Sequence, residues 1–169
     1  MTGRVARVLA LIAVAGPHAS PVMGDSPEIT VSVGGASFWI GQLEDAAEKS
    51  VPSGYQMVGR KREAWGASWR LQRQQESSGD EPHFIAVQAA EGRVIEVALE
   101  WPRESHGGGV FGTLVRALRQ ARECRVSSHV GDCVASVSET LHVTCGSRQV
   151  IATVGWGHGH CAGTALVLR

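Results

Sequence analysis

Asparagine is absent from the 169 residues, lysine occurs only at positions 49 and 61, and no cysteine precedes Cys124. Without Asn there is no acceptor for N-glycosylation. Without an early Cys there is no site for an N-terminal lipid anchor, and no apolar run reaches the roughly 20 residues of a membrane-spanning helix. No membrane anchor is therefore expected. The cysteine spacings of 9, 12 and 16 residues contain no C-x2-C pair, which removes the usual zinc signature. A G-x-S-x-G nucleophile elbow is also missing. Strong net charge is lacking too: Lys+Arg and Asp+Glu number 16 each, too balanced for the basic footprint that supplies nucleic-acid affinity. Nucleic acid is not an expected partner.

What is present begins with Arg4 and Arg7 followed by the apolar run of residues 8–15. A charged start, a short apolar stretch and small residues at 22 and 24 are the parts of a secretory leader. Residues 1–24 are read as a signal peptide cut before Asp25, with Ala13-Val14-Ala15 as a competing site. Residues 25–169 then form one exported domain with possible sub-units 25–105 and 106–169. The near-absence of Lys and Asn beside abundant Arg suggests a GC-rich bacterial source, hence a periplasmic or secreted location. In an oxidising compartment the four cysteines, Cys124, Cys133, Cys145 and Cys161, predict two disulfides.

Along the domain, Ile29, Val31 and Val33 alternate with polar residues as a strand ending at Gly34-Gly35. Residues 42–50 read as a short helix. Strands follow at 55–61, 64–74, 83–89 and 93–101, with Glu91-Gly92 as a hairpin turn. In the last of these, Ile95, Val97, Leu99 and Trp101 are placed on one face. Residues 110–123 keep helical apolar spacing, with Arg116, Arg119 and Arg122 on the polar side, and three more strands are read at 139–145, 149–155 and 161–168. The expected fold class is α+β: antiparallel β-sheet meanders in one continuous layer, with two short-to-medium helices packed on one face, disulfide-bonded. In a plain three-stranded meander Cys145 and Cys161 fall at opposite ends, about 17 Å apart, beyond disulfide reach. Either Cys161 pairs with Cys124 or Cys133, or the strand order is not a simple meander.

Chemistry-bearing motifs are few. Gly107 to Gly112 fits G-x-G-x-x-G, but the preceding strand ends too early for a dinucleotide turn, so a connector is the plainer reading. In Trp156-Gly157-His158-Gly159-His160-Cys161, the imidazoles of His158 and His160 could converge on copper or zinc if the loop curls. His106, His129 and His142 are untethered further ligand candidates. The carboxylates Glu44-Asp45, Asp80-Glu81 and Glu96 with Glu100 read as solvated surface, as do Arg60-Lys61-Arg62. No catalytic residue and no cofactor is assigned, and the enzyme reading leans to no. Trp65 and Trp69, four apart on one predicted strand and so on one face, are core residues on the plain reading and interface anchors if exposed. With Arg116 and Arg119 they form the candidate binding set. The pattern loosely resembles exported inhibitor and adaptor domains that pair short helices with an open sheet. The functional expectation is a non-enzymatic binding module, of inhibitor or immunity type, acting on another exported protein. A His-Gly-His metal-binding protein and a small exported enzyme are the alternatives.

Overall fold

The computed structural model describes residues 11–14, 29–74, 81–101, 124–133, 136–157 and 163–169. A small antiparallel sheet consists of β1 (Leu11–Val14), β2 (Ile29–Val33) and β3 (Ala36–Trp39), followed by the six-residue helix α1 (Glu44–Lys49). The large sheet is built from β4 (Tyr55–Glu63), β5 (Gly66–Arg73), β6 (Phe84–Ala90), β7 (Arg93–Trp101), β8 (Cys124–Cys133), β9 (Ser136–Cys145), β10 (Arg148–Gly157) and β11 (Gly163–Leu168). Its strand order is β4-β5-β6-β7-β11-β10-β9-β8, antiparallel throughout. Two four-stranded meanders therefore meet where the last strand of each, β7 and β11, pair from Val97↔Leu168 to Trp101↔Thr164.

This corrects the expected α+β class. Among the described residues there is one short helix, not two helices packed on a sheet; the predicted helix at 110–123 lies outside them. The expected helix at 42–50 is present but confined to Glu44–Lys49, and Ala47 is its one buried apolar side chain. Six residues with one apolar anchor cannot cover eight strands. Much of the covering layer is the β2–β3 hairpin, whose Val31, Val33, Ala36 and Phe38 are buried in one cluster with the large sheet. β3 was not anticipated, because Gly34-Gly35 reads as a strand end. It is a two-residue hairpin turn with Val33↔Ala36 closing it.

Alternation of buried and half-buried residues sets the core face. Ala67, Trp69 and Leu71 of β5 face inward beside Ile85, Val87 and Ala89 of β6. Leu141 and Val143, Val150 and Ala152, and Leu166 and Leu168 continue the same face across the second meander. In β7 the inward set is Val94, Val97, Leu99 and Trp101, whereas Ile95 is 43% exposed. The reason is a β-bulge: Ala89 pairs with Val94 and Gln88 with Glu96, so Ile95 has no partner and leaves the core face. The Glu91-Gly92 turn, with φ of 51° and 73°, has the left-handed pair of a two-residue hairpin.

The small sheet is tied to the large one by backbone bonds. Gly41 N–H donates to Val94 O and Val94 N–H to Gln42 O, both at 2.8 Å, and Leu43 bridges to Arg93. On the far side of the seam Arg148 Nη2 donates to Ile40 O at 3.3 Å. Leu11–Val14, inside the expected leader, pairs with β2 from Leu11↔Ser32 to Val14↔Ile29. No helix among the described residues is long and apolar enough to cross a membrane.

The cysteines resolve one pairing. Cys124 and Cys145 open β8 and close β9, sit opposite each other, and are disulfide-bonded with Cα atoms 4.3 Å apart. The strand that makes this possible, β8, was not predicted. Cys133 ends β8, and Cys161 lies outside the described residues.

Candidate functional site

Register places the turns at residues 64–65, 91–92 and 146–147 at one end of the large sheet, together with the disulfide. Trp65 occupies the first of these turns. The strand expected at 64–74 starts at Gly66 instead, so Trp65 and Trp69 do not share a face. Trp69 is 3% exposed in the core and Trp65 48% exposed at the hairpin tip. Gly66 explains why the tip is so tight: a Cβ there would stand 2.0 Å from Ala89 O, so only glycine lets the turn approach β6 this closely.

The tip is braced on its inner side. Arg60 and Arg62 lie opposite Trp69 and Ala67 in register, on the core side of β4, where apolar residues would be expected. Instead they reach α1: Arg60 Nε lies 2.8 Å from Glu48 Oε1, and Arg62 pairs with Glu44. The Trp65 indole N–H donates to Glu63 Oε2 at 2.5 Å, which fixes the ring's polar edge. Leu43, just before α1, is 59% exposed beside the Arg62–Glu44 pair. Two exposed apolar side chains thus belong to this end of the sheet, Trp65 in its turn and Leu43 through its bridge to Arg93. That chemistry suits contact with another protein surface.

The other expected site residues fall elsewhere. Arg116, Arg119, His158 and His160 lie outside the described residues, as do His106 and Asp80. His129 of β8 and His142 of β9 are exposed, opposite Thr140 and Ser127 respectively. Among the described residues no three His, Cys, Asp or Glu side chains converge as a metal site. The carboxylates singled out in the sequence are engaged by arginines: Glu81 by Arg73 at 2.8 Å, Glu96 by Arg169 at 2.7 Å and Glu100 by Arg70 at 2.7 Å.

Sequence reasoning missed one polar cluster at the opposite end of the sheet. The buried Tyr55 hydroxyl donates to Pro82 O, while Arg73 and Glu81, both 13% exposed, pair beside it. Burial, then the Glu81 carboxylate, push the Tyr55 phenol far above its ordinary range, and Arg73 opposes the shift. A phenol held neutral is a hydrogen-bond donor and no base, so this cluster clamps the chain on either side of residues 75–80. Tyr55 is the one tyrosine of the chain, which makes the effect directly readable. Absorbance titration should show no phenolate until well above the ordinary value of about 10, and the normal transition on unfolding in urea. Because the folded value is raised, the group's contribution to stability is whole below about pH 10 and is lost as pH rises above it. A phenolate appearing near pH 10 in the folded protein would remove the clamp.

Comparison with protein-family profiles, curated proteins and solved structures returned no match.

Proposed function

We propose that the protein is an exported binding module that engages another extracytoplasmic protein through the Trp65 hairpin tip, in the manner of an inhibitor or immunity-type protein. The observation that carries this reading is a half-exposed tryptophan with its N–H already satisfied, on a turn braced by two ion pairs. An aromatic held in one orientation loses little entropy on binding, and tryptophan leads the side chains that dominate interface energetics. Export is supported by the leader pattern of residues 1–24 and by the Cys124–Cys145 bond, which persists in oxidising compartments. Processing before Asp25 would take Leu11–Val14 away and leave β2 paired with β3 alone.

The test uses wild-type protein and Trp65→Ala as matched baits in an extracytoplasmic extract of the native host. The expected result is a partner held by the wild type and weakened by about 2 kcal/mol or more in the variant, with the melting temperature unchanged. Equal recovery by both baits, or none by either, overturns the reading. The mass of the native protein should correspond to a chain starting at Asp25, and an intact Met1 would remove the export half of the proposal.

A further inference from the structure

Among the described residues the large sheet is open, and its two edges differ. Along β4 a bulge at Val58 interrupts the ladder, and the inward positions carry Arg60 and Arg62, neutralised by α1. Bulges and inward charges are the devices by which proteins keep an edge strand from pairing with another chain. β8 has no bulge, and its one charged residue at a core-face position, Asp132, stands near its end, beyond residues 126–130. Its ladder with β9 runs without a break from Cys124↔Cys145 to Cys133↔Ser136, and residues 125–130 are all exposed.

The disulfide reveals which backbone groups point outward. Directly opposed residues 4.3 Å apart at Cα form a non-hydrogen-bonded pair. Cys124 therefore directs its N–H and C=O away from β9, and by alternation so do Val126, Ser128 and Val130. These same residues sit on the core face, because Val126 is opposite Val143 and Ser128 opposite Leu141. Val126 is 37% and Val130 63% exposed. Among the described residues the edge thus offers outward backbone groups with no paired strand, and two exposed valines, on one set of residues.

We propose that this edge is the interface of a homodimer, in which β8 pairs antiparallel with β8 of a second copy about a two-fold axis through Ser128. That register opposes Val126 to the partner's Val130 and Ser128 to the partner's Ser128. It keeps the core faces of both sheets on one side and covers both valines. Axes through Val126 or Val130 leave one valine uncovered, axes through Ser127 or His129 set Val126 against Ser128 or Asp132 instead of the other valine, and an axis between two residues sets core-face positions against outer-face ones. On the outer face Ser127 meets the partner's His129, a pairing able to hydrogen-bond, and Arg125 of one copy is kept away from Arg125 of the other. A symmetric contact of one patch with itself is the commonest route to a soluble oligomer.

Sedimentation velocity on the purified, oxidised protein tests this. The expected result is a monomer–dimer equilibrium with a dissociation constant in the range of about 1–100 µM, fitting a short interface. Val130→Lys should weaken it at least about tenfold, and Val58→Lys on the guarded edge should leave it unchanged. Ser128→Pro removes one outward N–H without touching the β8–β9 ladder and should also give monomer. Ser128→Cys supplies a gain of signal: mild oxidation should link two copies through residue 128, and Ser127→Cys should not. A chain that stays monomeric at the top of that range, a dimer that Val130→Lys and Ser128→Pro leave intact, or cross-linking at 127 in preference to 128 would each overturn the proposal.

Discussion

Trp101→Ala is expected to cost about 3–5 kcal/mol, enough to unfold many domains of this size. Trp101 is 2% exposed and among the largest of the fully buried side chains. It also stands at the seam, opposite Thr164 of β11, so the cavity would open where the two meanders join. Trp101→Phe should cost far less. It keeps an aromatic ring in place and removes a buried indole N–H that has no hydrogen-bond partner among the described residues, a group whose burial is itself unfavourable. Urea denaturation of the two variants checks both statements. A Phe variant as unstable as the Ala variant would mean that the N–H matters more than the ring.

The second large effect concerns the disulfide. Cys124 and Cys145 are 21 residues apart in sequence, and closing a loop of that length removes about 3 kcal/mol of unfolded-chain entropy on the loop-closure account. The double variant Cys124→Ser, Cys145→Ser should fall in stability by that order, and reduction of the wild type, which opens every disulfide of the chain, should cost at least as much. The loss should act first on β8, which among the described strands of its own chain pairs with β9 alone. Hydrogen exchange at residues 124–133 should therefore rise more than in β5 or β6. A uniform rise across the sheet would contradict this.

The two findings also mark what the sequence could and could not reveal. Strands with a wet face and a dry face were legible: residues 93–101 were bounded as observed, and the strands around 66–73, 84–90 and 148–157 were found to within a few residues. β8 was not, because its core-face positions read Val126, Ser128 and Val130, too polar and too exposed to leave a period-two signal. The bulge at Ile95 was invisible for a different reason. Nothing in Arg93-Val94-Ile95-Glu96 says which of two adjacent β-branched residues will be skipped; the pairing with Ala89 and Gln88 decides it. The candidate site was half legible. Trp65 stands out in the sequence as one of a tryptophan pair, yet its separation from Trp69 depends on Gly66, whose need for no side chain arises from a contact with β6 some twenty residues away in the chain. The Tyr55 clamp gave no motif at all, since its members come from positions 55, 73, 81 and 82. The excess of helix in the sequence reading came from treating the covering layer as helical, when a four-residue strand of alternating Ala, Ser, Phe and Trp supplies part of it.

The order of strands carries one more consequence, for how the molecule is made. β11 comes last of the eight in the chain yet stands in the interior of the finished sheet, between β7 and β10. During synthesis the N-terminal meander has emerged long before its interior neighbour exists, so Val97–Trp101 waits as a bare margin of hydrogen-bonding groups until residues 163–168 follow. A nascent chain stalled before residue 163 would carry two such raw margins, on β7 and β10, with Leu99 and Val150 uncovered beside them. Any host that makes this protein has to shelter that half-built state.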